Sequence, residues 1–233
     1  MLFRSGDFNP QTIAMWRILI AQGHWTHVVD VGANYGEMLV GAELPPSAAI
    51  IAIEPNPYLL PYLVRTIEDG GIKVEVVTQA ASECPGQAEL IVDRTWSGMS
   101  SLAGLQRGAE THTVEIIEVS TTTLAAVVGA RSAGQRVRVL TKIDVEGHEA
   151  AVLKGASEMI DDAEAFAALV EILHATDQEL DWLLANFAIE LYDPQSAALV
   201  RIDARAAHEL REAIASKGYY PQDAVLRRRT RGK

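Results

Sequence analysis

Short apolar runs alternate with amphipathic segments along most of this chain. The apolar runs are bounded by glycine, proline or acidic residues, as is typical of buried strands. They predict strands at 27–31, 49–53, 73–78, 137–143 and 166–173. The segments between and beyond them predict helices at 12–22, 37–44, 58–68, 122–128, 177–186 and 205–216, with a further short helix ending near 155. Continuous apolar strands separated by helices indicate a parallel sheet that is covered on both faces.

Two regions depart from this alternation. Residues 87–94 and 113–120 predict two strands with no helix between them. Residues 187–192 and 198–202 predict an antiparallel pair joined at the turn Asp193-Pro194. We therefore predict an α/β fold with a mostly parallel central sheet, helices on both faces and a C-terminal antiparallel strand pair.

Composition and charge narrow the class of protein. The 233 residues suffice for one large domain whose core needs no disulfide or structural metal. The single cysteine, Cys84, excludes an internal disulfide and a cysteine-based zinc site. A formal net charge of −11 argues against nucleic-acid binding, which relies on a basic surface. No apolar run approaches the roughly 20 residues that span a membrane, and we expect a cytoplasmic protein.

The turn after the first strand is rich in glycine, at Asp30-Val-Gly-Ala-Asn-Tyr-Gly36. Gly32 permits a tight turn with positive φ and a close approach to a ligand, and Gly36 lets a helix begin near the sheet. Asn34 stands where the dinucleotide fingerprint Gly-x-Gly-x-x-Gly has its middle glycine. No Gly-Lys-Ser/Thr follows, so a P-loop is excluded. The turn therefore disfavours a pyrophosphate ligand.

An acidic residue, Glu54, ends the second strand, 24 residues after Asp30. Ligands of such sheets bind beyond the carboxyl ends of the strands, and a carboxylate at this position can accept hydrogen bonds from both hydroxyls of a ribose. Asp30 adds a carboxylate close to where an α-ammonium group of the ligand would lie. The combination indicates a nucleoside cofactor without phosphate, such as S-adenosylmethionine (SAM).

The segment Lys142-Ile-Asp-Val-Glu-Gly-His-Glu-Ala-Ala-Val-Leu-Lys-Gly-Ala156 resembles the signature of the FkbM-type family of SAM-dependent methyltransferases. Four further stretches are similar to that family: residues 29–36, 54–57, 80–86 and 100–102. The resemblance covers about residues 26 to 175, and His148 replaces the small residue expected there. We expect an N-terminal helical segment (1–25), a methyltransferase domain (26–225) and, because of its five basic residues, a basic flexible tail (226–233).

The resemblance implies a Rossmann-like class I methyltransferase fold and transfer of a methyl group, usually to a hydroxyl oxygen of a sugar or natural product. The implied contacts with the methionine part and the turn come from Asp30, Gly32, Ala33, Asn34 and Gly36. Glu54 would take the ribose hydroxyls, and Asn56 and Ser82 would lie at the adenine. Ser100 and Ser101 would close over the site. The N-terminal helix and the part after about residue 176 are expected to shape the acceptor pocket.

A hydroxyl acceptor loses its proton as reluctantly as water, whose pKa is about 15.7, so a base or a metal must assist. Asp144 and Glu146 leave the same face of an extended chain at the end of strand 137–143. Glu171 and His174 end the next strand. We predict these four as the catalytic residues, with His174 as base and Glu146 or Glu171 as its orienting partner. For Asp144, capping of the following helix is an equal interpretation.

A divalent cation is compatible with the same four side chains, but their spacing does not require one, and we assign no metal ligand. The leading function is a SAM-dependent O-methyltransferase that acts by in-line displacement and releases S-adenosylhomocysteine (SAH). N-methylation, nucleic-acid methylation and an inactive SAM-binding module stay open, and a nicotinamide oxidoreductase is a weaker rival. We expect a small-molecule or glycan acceptor and neither nucleic acid nor membrane as partner; a homodimer is compatible with the sequence.

Overall fold

The structure is a computed structural model that describes residues 9–93, 101–102, 114–132 and 134–229. Its strands are β1 (His27–Val31), β2 (Ala49–Ile53), β3 (Glu75–Val77), β4 (Ala80–Ala81), β5 (Gly86–Asp93), β6 (Val114–Thr122), β7 (Arg138–Ile143), β8 (Ala165–Glu171), β9 (Phe187–Asp193), β10 (Ala198–Ile202) and β11 (Asp223–Arg228). Its helices are α1 (Pro10–Gln22), α2 (Glu37–Val40), α3 (Leu60–Gly70), α4 (Leu124–Gly129), α5 (Glu149–Lys154), α6 (Ser157–Asp162), α7 (Asp177–Asn186) and α8 (Ala207–Lys217).

An eight-stranded sheet with the order β10-β9-β11-β8-β7-β1-β2-β3 forms the centre of the protein. The strands β8, β7, β1, β2 and β3 are parallel, while β11 is antiparallel to both β8 and β9. The predicted antiparallel pair is confirmed as β9 and β10. A smaller sheet with the order β4-β6-β5 contains the two strands predicted in the middle of the chain. The predicted α/β class is therefore confirmed.

Both faces of the large sheet are covered, which explains the uninterrupted apolar runs. All five residues of β1 are buried. Val28 packs in one cluster with Trp16 of α1, whereas Val29 packs on the other face in a cluster with Leu124 of α4 and Leu180 of α7. Successive side chains of a strand point to opposite faces, so a strand covered on both sides is mostly apolar, as β1 is apart from His27 and Asp30.

The N-terminal helix is part of this same core. Met15, Trp16 and Leu19 of α1 are fully buried. The indole N–H of Trp16 donates to the carbonyl oxygen of Met38 at 3.1 Å, which ties α1 to α2. Within the described part of the chain, none of the helices combines the length and the hydropathy that crossing a bilayer requires.

The prediction of a flexible tail from residue 226 is wrong for the part that the structure describes. β11 lies between β8 and β9, with Leu226 fully buried, and residues 230–233 lie outside the described range. The side chain of Arg227 pairs with Glu190 at 2.9 Å. Arg228 donates to the carbonyl oxygens of Asp161 and Ala163 at 2.8 and 2.6 Å. The basic side chains are thus bound to acceptors at the sheet surface, and this allows a charged segment to form a central strand.

Candidate active site

A cavity of about 240 Å³ lies at the carboxyl ends of β1, β2 and β7, the edge of the sheet where the sequence predicts a site. The loops after these strands provide much of its lining, including Gly32, Ala33, Asn34, Glu54, Asp144 and Glu146. Ala80 and Ala81 of β4 and Leu102 contribute apolar wall. The cavity therefore unites the predicted turn after β1 with the predicted catalytic carboxylates after β7.

Gly32 has the positive φ that the sequence predicts for the turn after β1, but its close approach is to the protein itself. Its φ is +76°, and a Cβ built on it would lie 1.9 Å from the carbonyl oxygen of Asp144. The close approach that needs a glycine is therefore between two strand ends of the protein. The amides of Gly32 and Ala33 both donate to the carbonyl oxygen of Ile53, at 3.0 and 3.1 Å, which locks the turn to the end of β2.

The turn continues with Asn34 in the left-handed region, at φ +49°, which asparagine tolerates better than most residues. The Oδ1 atom of Asn34 is buried and has no hydrogen-bond partner among the described residues. Because Asn34 lines the cavity, this oxygen can accept a hydrogen bond from a ligand there. Gly36 ends the turn at φ +83° and is the N-cap of α2.

Glu54 is held in one position by two backbone amides. Its Oε2 accepts from the amide of Asn34 at 2.8 Å, and its Oε1 accepts from the amide of Asn56 at 2.9 Å. Burial raises the pKa of this carboxyl, and the two amides act in the opposite direction because they stabilise the charged form. Each oxygen keeps a further lone pair, so the fixed carboxylate can still accept from two ligand hydroxyls.

The two residues predicted at the adenine do not line the cavity. Asn56 is buried, and its Oδ1 accepts from the amide of Tyr58 at 3.0 Å, which shapes the turn after β2. The hydroxyl of Ser82 and the Nε2 of His148 are hydrogen-bonded at 3.0 Å. The contacts of Asn56 and Ser82 with an adenine stay predictions. Ser100 lies outside the described residues.

Asp30 is fully buried and is not part of the cavity wall, so a direct contact with a ligand is not supported by its position. Burial raises its pKa to about 7, although the ammonium group of Lys142 acts in the opposite direction. The Nζ atom of Lys142 lies 3.9 Å from Asp30 and 3.1 Å from Asp144. Burial disfavours the charged lysine, yet these two carboxylates raise its pKa overall, so Lys142 stays protonated.

Lys142 itself lines the cavity, and so does Glu37 in the first turn of α2. Burial raises the pKa of Glu37. Sequence reasoning did not assign either side chain to the ligand. The signals were present: Glu37 directly follows the glycine turn, and Lys142 interrupts an otherwise apolar strand.

The four predicted catalytic residues do come together. One atom each of Glu146, Glu171 and His174 lies within 4.8 Å of the others, and the same holds for Asp144, Glu149 and Glu171. The distance between Glu146 Oε2 and His174 Nε2 is 4.0 Å. Asp144 and Glu146 line the cavity, whereas Glu171 and His174 do not. Glu146 is therefore the member that links the cavity to the imidazole.

The loop that carries Glu146 is held in an unusual conformation. Glu146 has φ +56°, in the left-handed region that few residues with long side chains adopt. Its carbonyl oxygen accepts from the hydroxyl of Ser101 at 2.8 Å. The carboxylate of Glu149 accepts from the amides of Val145 at 2.9 Å and Gly147 at 3.1 Å. Glu149 and Ser101 thus fix the backbone that positions Glu146.

Glu171 is the most perturbed carboxyl of this group. It is only 6% exposed, and its Oε2 has no hydrogen-bond partner among the described residues. Burial, followed by the charges of Asp144 and Glu146, raises its pKa to about 9. Burial and the neighbouring charges therefore both favour the protonated form of Glu171.

Residues at the start of α1 and just before β11 also line the cavity. Asn9, Thr12 and Ile13 line it together with Gln222. The Nδ2 of Asn9 donates to the Oε1 of Gln222 at 2.7 Å, and the hydroxyl of Thr12 donates to Asp223. The two parts of the chain without sequence motifs therefore contribute polar wall to the cavity.

Comparison with known proteins identifies the family. The family model of the methyltransferase FkbM domain matches residues 30–220. A search of curated proteins finds no significant match. Similar solved structures include a methyltransferase from Geobacter sulfurreducens, with 13% identity, 95% of this chain and 80% of that chain covered, and a TM-score of 0.48. Another is the O-methyltransferase from Bacillus cereus in complex with SAH, with 10% identity, 97% and 84% covered, and a TM-score of 0.47.

A third is the O-methyltransferase TomG from Streptomyces achromogenes, involved in tomaymycin synthesis and solved in complex with SAM, with 9% identity, 95% and 80% covered, and a TM-score of 0.43. These identities are too low to say anything about a substrate. The family match, which covers the glycine turn, Glu54 and the Asp144–Glu149 block, carries the conclusion. With its Rossmann-like sheet and this match over most of its length, the chain belongs to the FkbM methyltransferase family.

Proposed function

We propose that this protein transfers the methyl group of SAM to a hydroxyl oxygen of a small molecule, a sugar or a natural product. The observation that carries the proposal is the fixed carboxylate of Glu54 in the wall of the cavity. Two backbone amides orient it, and its remaining lone pairs match the two hydroxyls of a ribose. The donor supplies an electrophilic methyl group on a sulfonium.

The charged groups of the wall fit the amino-acid part of such a donor. That part carries one ammonium and one carboxylate group. Glu37 can accept hydrogen bonds from the ammonium, and the protonated Lys142 can donate to the carboxylate. The unpartnered Oδ1 of Asn34 offers a further acceptor beside the turn. A pyrophosphate, by contrast, would meet the carboxylates of Glu37 and Glu54, which repel it.

Glu146 is the group that we propose receives the proton of the acceptor. Asp144 also lines the cavity, but its carboxylate is paired with Lys142. His174 lies 4.0 Å from Glu146 and outside the wall, so we assign it a positioning role rather than the role of the base. Alignment of acceptor and methyl group supplies much of the catalysis, and a positioned base adds about 10²- to 10⁴-fold.

The same features favour a hydroxyl acceptor over the alternatives. A neutral amine can attack without prior loss of a proton, so it has little need of a carboxylate base. A nucleic acid would bring phosphates to a cavity edged by several carboxylates, in a protein with a net charge of −11. An uncharged acceptor of small size is therefore the class that we propose.

Calorimetric titration with SAH tests the first half of the proposal, that the cavity binds the methyl donor. We expect the wild type to bind SAH and Glu54→Ala to bind it at least about 100-fold more weakly, because two hydrogen bonds to a charged group are lost. Glu68→Gln, an exposed glutamate on α3, is the matched control and should bind as the wild type does. Unchanged affinity in Glu54→Ala, or binding of NAD without binding of SAH, contradicts the proposal.

Release of SAH from SAM tests the second half of the proposal, that the methyl group goes to a hydroxyl oxygen. The protein is incubated with SAM and a panel of methyl glycosides and simple phenols, and in parallel with primary amines. We expect turnover with a member of the first panel and none with the amines. Turnover that is confined to the amines would overturn the hydroxyl assignment while it leaves the donor site intact.

A further inference from the structure

The side chains beside the cavity have the geometry of a cation site as well as that of a proton acceptor. The carboxylates of Glu146 and Glu171 and the imidazole of His174 come from the ends of β7 and β8, with one atom of each within 4.8 Å of the others. The measured distance from Glu146 Oε2 to His174 Nε2 is 4.0 Å. One ion with bonds of about 2.1 Å to nitrogen and oxygen spans such a distance.

The second observation is the buried carboxylate of Glu171. Glu171 is 6% exposed, and its Oε2 is buried without a hydrogen-bond partner among the described residues. Glu171 is also the one residue shared by the two clusters of possible metal ligands near the cavity, Glu146-Glu171-His174 and Asp144-Glu149-Glu171. Buried polar atoms in folded proteins are nearly always satisfied, so this oxygen indicates a missing ligand or a proton.

The surrounding charges favour a cation as that ligand. The carboxylates of Asp144, Glu146, Glu149 and Asp223 all act on Glu171 with the same sign. The ammonium of Lys142 lies 3.1 Å from Asp144 and 3.9 Å from Asp30, so it offsets those two carboxylates. A divalent cation would compensate the charge that crowds around Glu171.

The alternative group of Asp144, Glu149 and Glu171 is a poorer site. The amides of Val145 and Gly147 already occupy the carboxylate of Glu149, and Lys142 occupies Asp144. Those contacts also hold the loop and the lysine in place. The group of Glu146, Glu171 and His174 has instead an imidazole ligand, and it contains the buried, unpartnered Oε2 of Glu171.

We propose that Glu146, Glu171 and His174 bind one divalent cation of the first transition series. Two carboxylates and one imidazole suit Mn²⁺ and its neighbours, whereas Mg²⁺ and Ca²⁺ prefer oxygen ligands alone. Because Glu146 lines the cavity, the ion lies at its wall, where it can orient an acceptor hydroxyl and lower its pKa. Glu146 holds the ion through one carboxylate oxygen, and its other oxygen can still accept the proton. This role rests on the proposed function, whereas the binding of the ion does not.

Titration with MnCl₂ tests the site directly. The full chain is treated with a chelator, dialysed and titrated at pH 8, and free Mn²⁺ is measured by its electron paramagnetic resonance signal. We expect one bound ion per chain, with an affinity that falls at least tenfold in Glu171→Gln and in His174→Gln. Glu158→Gln, an exposed glutamate on α6, is the matched control and should bind as the wild type does.

Two results would overturn the proposal: no binding of Mn²⁺ to the wild type, or the same affinity in both variants as in the wild type. Thermal melting shows whether each variant is folded, and His174→Gln, which is nearer the surface, carries the test if Glu171→Gln does not fold. SAH affinity separates this proposal from the donor site. Mn²⁺ binding without SAH binding would support the cation site and contradict the proposed function, and the reverse result would do the opposite.

Discussion

Two buried glutamates, Glu54 in the cavity wall and Glu171 behind it, are stabilised in opposite ways. Glu54, after β2, accepts one backbone amide on each carboxylate oxygen. Glu171, at the end of β8, has an oxygen with no partner and is surrounded by other carboxylates. Both are almost fully buried, at 5% and 6% exposure, so burial does not distinguish them.

The difference shows which half of the site is complete in the isolated protein. Amide donors fix the carboxylate of Glu54 before any ligand arrives, and this favours an uncharged partner such as a diol. Among the described residues around Glu171 the carboxylates outnumber the one ammonium group, that of Lys142, which pairs with Asp144, so a bound proton or cation would stabilise this region. The region of Glu54 is therefore ready to bind a diol in a fixed orientation, whereas the charge of the region of Glu171 depends on whether a proton or a cation is bound.

Gly32→Ala should have the largest effect on stability and on SAH binding. Gly32 contacts both the end of β2, through Ile53, and the loop after β7, through Asp144. The new Cβ would overlap the carbonyl oxygen of Asp144, and φ +76° adds strain for alanine. We expect loss of cooperative thermal melting and of SAH binding. Gly71→Ala is the matched control, since Gly71 has φ +62° but no atom within 4 Å of its Cβ position. It should cost only about 1–2 kcal/mol. Equal losses in the two variants would show that the contact with Asp144 does not matter.

Glu146→Gln should separate the two regions in function. We expect the turnover number to fall by about 10²- to 10⁴-fold, because the amide cannot accept a proton. SAH affinity should stay within about threefold of the wild type, because the contacts of Glu54 are untouched. Steady-state SAH release and calorimetry measure the two quantities. A weakened SAH affinity comparable to that of Glu54→Ala would contradict the division of the site into two halves.

Asp30→Asn should have the smallest effect of the three variants. We expect it to change how the free energy of unfolding depends on pH. Burial raises the pKa of Asp30 to about 7, so the folded chain keeps its proton while the unfolded chain loses it above about pH 4. The folded state then binds more protons, and its stability falls as pH rises from about 4 to about 7. Asp30→Asn should remove this part of the slope, which is on the order of a few kcal/mol.

Thermal melting between pH 4 and 8 measures that slope in the wild type and in Asp30→Asn. Asp203→Asn, at an exposed position, reports the effect of one lost surface charge alone. Parallel Tm curves for the wild type and Asp30→Asn would show that Lys142 keeps Asp30 ionised throughout this range.

The fold was largely predictable because its central strands are covered on both faces. The predicted bounds of β1, β2, α7 and β10 agree with the structure residue by residue. The helix predicted at 37–44 is shorter, because α2 ends at Val40, before Gly41. β11 was missed because three consecutive arginines are typical of a solvated segment. Only the tertiary structure provides the carbonyl oxygens and the carboxylate that bind them.

The site was predictable at the level of strand ends but not of individual contacts. Parallel strands end at one edge, so Asp144, Glu146, Glu171 and His174 were expected to meet there, and they do. Asp30 lies near Lys142 and outside the cavity wall. This position depends on how β1 packs beside β7, and the sequence pattern of a single strand does not specify that packing. The roles of these residues in binding and catalysis stay predictions.

The position of β11 has a consequence for how the protein is made. The strand that joins β8 to β9 consists of residues 223 to 228, so the ribosome must synthesise the chain beyond residue 228 before the large sheet can close. Until then the nascent chain exposes the unpaired edges of β8 and β9, together with the apolar faces that Ala224 and Leu226 later cover. A premature stop codon before Asp223 would leave those edges open to pair with other chains, and such a product would be a target for chaperones and proteases.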